Sequence, residues 1–520
     1  MGLAFPVISC YAITVISVNK ERKNHMQATL RENKMGVMPI GKLLANMAIP
    51  MILSMLVQAL YNVVDSIYIS RYSESAVTAL GLAFPVQNVQ IGFAVGIGVG
   101  VNSLLSKSLG EGNRERANRT AGNGIFLGLI ATAIFVLFGF FGTRAYYEMQ
   151  DVSRQVMDDG IAYTSICCIF TMGIYFQVIF ERLLQATGRT LHTMITQGVG
   201  AVVNIVMDPV FIFGVDALGI PAMGAAGAAI ATVIANFLSA PLTILFVLKS
   251  PKMPVRPRLF IPLSRGIREY RRVLALGIPS GLEYGLWNVG NLMLVSYLNR
   301  LDMLSAGIYT LVFSIETVPL MIYMGFANAG LTLVGQEVGA NDPRQAKRAG
   351  FLCLFFSLAI CLVTGCLFRM FPRPILTLFT DDVTILDISV PYLKFIAWIL
   401  FPKAVNNVIG LCIRGMGDTR WMLFTQIFGT IFMIGVGYIL ILGTGLGLSG
   451  IFLTLSNLCP ESIFSCLTFF LHYCTDRTYN TSLLLIDINE SESDGLLEKL
   501  GKVFVLAKSG KRSRNKYSCA

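Results

Sequence analysis

Charge is scarce in this chain. Only 14% of its 520 residues are Asp, Glu, Lys or Arg, against about 25% in a soluble domain. That scarcity excludes an ordinary water-soluble globule. With 54% hydrophobic residues and a mean hydropathy of +0.65, the solvent for most of the surface is lipid. Histidine is nearly missing: there are three, His25, His192 and His472, far apart. Eleven cysteines include no C-x-x-C pair, so a zinc site is not expected. Cys167, Cys168, Cys353, Cys361 and Cys366 lie inside apolar runs, where they read as small packing residues. There is no His/Asp cluster or nucleophile elbow either. We therefore expect no enzyme, no cofactor and no resident metal.

The net charge of +11 raises nucleic acid as a partner. The basic residues, however, sit in short segments between apolar runs. That is the distribution of topology signals rather than of a basic groove, and we expect no nucleic-acid partner.

What the sequence does hold is long apolar runs. About 20 such residues cross the hydrocarbon core of a bilayer as a helix, and open strands cannot cross because their backbone groups would go unsatisfied. Twelve spans are expected, at about 41–70, 76–104, 120–143, 159–181, 191–214, 223–248, 273–299, 304–335, 349–371, 387–411, 421–443 and 448–473. The loops after the even spans, through span 10, hold nineteen Lys or Arg, and those after the odd spans hold six. Cytoplasmic loops are the basic ones. Both termini are thus expected in the cytoplasm, with the protein in the plasma (inner) membrane.

The spans form one unit used twice, at an offset of 229 residues. Pro50 pairs with Pro279 and Asn62 with Asn291. "LGEGNRERANR" at 109–119 falls on "VGANDPRQAKR" at 338–348, and "QATGRT" at 185–190 on "RGMGDT" at 414–419. Six spans per unit is an even number, so both units enter the membrane in the same direction. They are parallel repeats, whose substrate sites lie near the midplane beside the cleft between halves. The expected organisation is an N-terminal extension (1–35), a first lobe (36–248), a basic cytoplasmic linker (249–272), a second lobe (273–474) and a polar cytoplasmic tail (475–520). "MGVMPIGKLL" at 35–44 would also make a natural start. Residues 495–512 could form a basic amphipathic helix, although a solvated tail is the plainer reading.

Ionisable residues inside spans each cost roughly 2.5–3.5 kcal/mol on insertion scales and mark function by default. Asp65 lies late in span 1 and Asp208 late in span 5, at matched depth. Asn204 precedes Asp208 by one helical turn and shares its face. Pro209 has no N–H for the carbonyl of Ile205. Two carboxylates, an amide and a loosened carbonyl suit a proton or a Na+ ion. At the repeat offset Asp65 falls on Leu294 and Asp208 on Gly437. The second unit lacks the pair, which favours a specialised cation site over a shared packing need. Glu283 and Glu316 are the acids of the second unit. Lys394, Lys403 and Arg414 could pair with acids or reach the interface. "GIGVG" at 96–100 looks like part of a dinucleotide fingerprint, but no strand–helix unit surrounds it. We read it as small residues that let helices approach.

At this point the residues carry a family. "LVQALYNVVDSIYISR", "LLSKSLGEGNRERA", "LLQATGRT", "NIVMDPVFIFG", "GAAGAAIATVIAN" and "LVGQEVGANDPRQA", in that order over about residues 36–475, resemble the multidrug and toxic compound extrusion (MATE) family. Their details resemble its prokaryotic DNA-damage-inducible-type branch. The resemblance implies an all-α integral membrane protein of twelve transmembrane helices in two six-helix bundles. It implies a secondary antiporter that exports organic, often cationic, small molecules in exchange for H+ or Na+. It places a cation site, proton or Na+, at Asp65, Asn204 and Asp208, with Thr232 beside them. The family's second-lobe acid on span 7 is matched only approximately, by Glu283. Gln58, Tyr61, Asn62, Glu283 and Glu316 are the candidate substrate-binding residues, and a monomer is expected. The rivals are a lipid-linked oligosaccharide flippase of the same superfamily, which would carry a basic cavity, and a non-transporting membrane receptor or scaffold.

Overall fold

The computed structural model describes residues 38–150, 152–249 and 263–455. The expected N-terminal extension, the first part of the linker and the polar tail with its amphipathic segment lie outside them. The first half holds α1 (Ile40–Tyr72), α2 (Glu74–Gly110), α3 (Arg114–Phe141), the short α4 (Thr143–Glu148), α5 (Arg154–Ile169), α6 (Met172–Ala186), α7 (Thr190–Ile212) and α8 (Gly224–Lys249). The second half holds α9 (Leu263–Leu301), α10 (Met303–Gly339), α11 (Pro343–Met370), the short α12 (Pro372–Leu376), α13 (Val383–Met416) and α14 (Thr419–Tyr438), which runs into a π-turn at Ile439–Gly443.

The architecture is the expected one, an all-α integral membrane protein in two six-helix lobes. Among the described residues, nine helices are long and apolar enough to cross a membrane, and the α5–α6 pair makes a tenth with a 45° bend. The 39-residue α9 is long enough but more polar than these. The twelfth span begins at 447 and is helical to 455, where the described residues end.

Two borders differ from expectation. Span 4 is broken at Phe170–Thr171, where the Thr171 hydroxyl takes a hydrogen bond from Gln90 on α2, which also accepts one on its carbonyl from Tyr175. The helix then continues to Ala186, five residues past the expected end. The linker is shorter than expected, since α9 starts at Leu263. Pro262 is the last proline before it, and Pro is tolerated at the start of a helix but not within. Tyr270, within the expected linker, and Val273, the first residue of the expected second lobe, are buried in the core of the first lobe.

The repeat is visible in local structure. Gly112 and Asn341, 229 apart, both take the left-handed conformation, as do Gly188 and Gly417. Such φ values select Gly, or Asn among the rest. Helix N-caps repeat too: Ser73 with Asp302, Asn113 with Asp342 and Ser153 with Asp382 each accept from backbone N–H groups of the helix they start. Each cap stabilises by about 1 kcal/mol. The threonine that opens α7 donates to a carbonyl of α1, Thr190 to Asn46 at 3.2 Å, and its counterpart Thr419 donates to Ala275 at 3.5 Å.

The lobes meet along a seam made by α1 and α2 against α9 and α10. A Cβ on Gly110 would lie 2.0 Å from the Gln336 carbonyl oxygen, and one on Gly339 would lie 2.1 Å from that of Lys107. These two contacts are images of each other under the repeat. So are Gly96 against Gly281 and Gly325 against Ile52. The reading of "GIGVG" holds: Gly96 and Gly100 press on the backbone of α9, and Gly98 lies against Arg182. The tightest contacts are at the ends of α2 and α10 that carry the basic loops. Toward the opposite face, the outermost seam hydrogen bond among the described residues runs from Tyr284 to Asn88, at 3.5 Å.

Candidate functional site

The site grows from two parallel stripes in the first lobe. On α1, Gln58, Tyr61 and Asp65 are spaced at three and four residues. On α7, Gln197, Asn204 and Asp208 are spaced at seven and four. Each spacing keeps its residues on one helix face, and α1 packs on α7. Asp208 is fully buried and Asn204 is 2% exposed. The Asn204 amide donates to Asp208 Oδ1 at 3.1 Å and reaches Thr232 Oγ1 at 3.4 Å. All four residues expected to hold a cation are brought into one region by α1, α7 and α8. Asp65 and Asp208 are near enough to repel one another.

Three oxygens here, Asp65 Oδ1, Asn204 Oδ1 and Asp208 Oδ2, are buried with no hydrogen-bond partner among the described residues. Buried polar atoms are nearly always partnered. A set of free oxygen lone pairs that includes two carboxylates fits a hard cation or protons. Among the described residues no group of three His, Cys, Asp or Glu forms a metal cluster.

The second lobe shows what the same positions look like without this task. Leu294 stands where Asp65 does and is fully buried. A Cβ on Gly437, the counterpart of Asp208, would lie 2.7 Å from Leu294 Cδ2. Likewise Gly290, the counterpart of Tyr61, faces the Met433 methyl, and Met433 is the counterpart of Asn204. The space is filled by the Leu294 and Met433 side chains, which bring no carboxylate or amide oxygen.

Tyr61 is half-buried, shares a face of α1 with Gln58 and lies within electrostatic reach of Asp65, Asp208 and a third acid, Glu181. Gln58 and Asn62 are exposed. Glu181, 7% exposed, was not singled out from the sequence, where it falls at an expected span border beside Arg182. An acid in the apolar run "VIFERLL" was the available signal. Its Oε1 accepts from Gln197 at 2.6 Å and from Gln177 at 3.4 Å, and Gln177 in turn accepts from Ser239 at 2.8 Å.

The acids of the second lobe are kept apart from this cluster. Glu283 is ion-paired with Arg414 and Glu316 with Lys403, while Lys394 is exposed. Each glutamate retains one buried oxygen without a partner among the described residues. A buried carboxylate facing a lysine or arginine is already neutralised, so it has less to offer a second cation.

Comparison with known proteins bears on the family and the repeat. The profile of the MatE family matches the chain twice, over residues 50–210 and 279–439; the two matches are 229 residues apart at both ends. The chain is 25% identical over 384 residues to "Probable multidrug resistance protein NorM" of Thermotoga maritima, covering 73% of this chain and 81% of that one. It is 23% identical over 352 residues to "FAD transporter" of Shewanella oneidensis, covering 67% and 76%. The fold matches a solved structure described as the outward-facing conformation of a multidrug resistance MATE family transporter. The TM-score is 0.76 at 22% identity, over 84% of this chain and 95% of that one.

Proposed function

This chain belongs to the MatE family of membrane transporters, and from that premise we propose that it is a secondary multidrug efflux antiporter. It exports organic, often cationic, small molecules and takes up H+ or Na+ in exchange, by alternating access. Residues 36–248 and 273–474 act as its two lobes. The basic loops and both termini face the cytoplasm, the membrane is the plasma (inner) membrane, and the monomer is the working unit.

One observation carries the coupling assignment: the free oxygens of Asp65, Asn204 and Asp208 in the first lobe, set against Leu294, Met433 and Gly437 at the same positions in the second. The basic ends of the lobes are pressed together at Gly110 and Gly339, and on this reading the cleft between the lobes opens on the other face, toward the outside. A cation entering there neutralises one charge of the Asp65–Asp208 pair. Their mutual repulsion falls, α1 and α7 draw together, and the cleft between the lobes loses the shape that held the substrate. The substrate leaves, and the loaded lobe returns to face the cytoplasm.

In proteoliposomes, imposed ΔpH and imposed Na+ gradients are compared for driving export of a cationic dye. Asp208→Asn is expected to abolish export under whichever gradient works, with the protein still folded by circular dichroism. Undiminished export by this variant would sink the assignment. A second reading, a flavin dinucleotide as cargo, is favoured by the likeness to the relative described as "FAD transporter". Dye export inhibited by a flavin dinucleotide, but not by further cationic dyes, would select it.

A further inference from the structure

Glu181 and Arg182 are neighbours in the chain, and consecutive residues on a helix point about 100° apart. Glu181 faces inward and accepts from Gln197 on α7. Arg182 faces the seam, where its guanidinium donates to Asn328 Oδ1 on α10 at 3.2 Å and to Gln185 at 2.8 Å. Other side-chain bonds cross this part of the seam, Ser103 to the Arg414 carbonyl at 2.8 Å and Thr332 to Asn102 at 3.2 Å. Their donors are neutral hydroxyls, whereas Arg182 brings an ionised one, and charge-assisted bonds are the stronger kind. α6 and α10 otherwise touch little.

We propose that the Glu181–Arg182 dipeptide is the link by which the cation site of the first lobe loosens or tightens the seam. The proposal rests on the coupling role assigned above to Asp65 and Asp208. Gln197 lies on the same face of α7 as Asn204 and Asp208, two and three helical turns away. When a cation draws α7 toward α1, Gln197 moves with its helix. Its amide is bonded to the Glu181 carboxylate, so α6 is carried along and Arg182 is shifted against Asn328. The charged and titratable groups facing Glu181 are Tyr61 from α1 and Arg182 from its own helix; Asp65 and Asp208 lie beyond Tyr61. Glu181 is thus a positioning residue. The ion itself is held elsewhere.

The test places spin labels at Met149→Cys and Leu378→Cys, in a background without other accessible cysteines. These positions are images of each other under the repeat, and both are more than 80% exposed. The distance between them in lipid is followed on acidification and on addition of Na+. Three variants are compared with the parent: Glu181→Ala, which removes the acceptor for Gln197, Asn328→Ala and the pair together. Asn328→Ala removes the far end of the link without touching a titratable group. The expected result is a response whose midpoint moves less than about twofold while its amplitude falls about fivefold or more. The double variant should be no worse than either single one, because elements in series are not additive. Amplitudes equal to the parent, or losses that add independently, would overturn the link. A parent protein that answers neither H+ nor Na+ would overturn the coupling assignment itself, and the link with it.

Discussion

Asp208 has one oxygen satisfied by Asn204 and one left free. That split separates two variants. Asp208→Asn keeps an acceptor for Asn204 but loses the charge, so gradient-driven export should fall by at least about tenfold, the effect of about 1.4 kcal/mol, while thermal stability holds. Gly437→Ala tests the opposite case in the second lobe. The added methyl meets Leu294 within 2.7 Å, and overpacking of this kind costs about 1–3 kcal/mol; the melting temperature should drop with little change in ion dependence. A third residue-scale test lies outside the membrane. The Ser305 backbone N–H and hydroxyl hold the Asp302 carboxyl below its ordinary value. Its folded pKa is therefore lower than its unfolded one, so its contribution is present at neutral pH and fades as pH falls through the carboxylate range. Asp302→Ala should lower the melting temperature at neutral pH, and the gap from wild type should close in acid. At this scale much was legible. Asp65, Asn204 and Asp208 announced themselves because charge in an apolar run is costly. Glu181 did not, since an acid beside a base at a span border reads as the end of a span.

Among the elements, helices with punctuation were readable and those shaped by distant contacts were not. The caps at Asn113 and Asp342 and the turns at Gly188 and Gly417 follow from local residue chemistry. At the break at Phe170–Thr171 the Thr171 hydroxyl is met by Gln90, 81 residues away, and no local pattern records that contact. The early start of α9 follows Pro262, yet its basic, mixed composition hid the helix. The glycine contacts at Gly110 and Gly339 have a consequence for motion. Backbones this close admit no side chain, so Gly339→Leu should wedge the basic ends of α2 and α10 apart. The distance between labels at 149 and 378 should then shorten in the absence of any ion, as the outer opening closes. An unchanged distance distribution would count against a rocking motion about this seam.

For the whole molecule, the repeat could be read from sequence because four matched segments share one offset. The direction of the opening could not, because it depends on which ends of the lobes touch. Met149 and Leu378 lie at the ends of the lobes away from the basic loops. A membrane-impermeant maleimide added to intact cells should label Met149→Cys and Leu378→Cys, and should label a cysteine placed at Arg116 only after permeabilisation. The reverse pattern would invert the topology.

Leu294 and Gly437 also set a ceiling on the work this molecule can do. An exchanger accumulates its cargo on one side only as far as the ions moved per cycle allow. With the second lobe plugged by a leucine methyl, the ion load per turnover is limited to what one lobe can hold. If the chain is the antiporter proposed above, the steepest cargo gradient it can sustain is then capped by the ions that the first-lobe site takes up per cycle, however fast it cycles. Speed and grip on substrate can change without touching that cap; carboxylates at positions 294 and 437 are the substitution that would raise it.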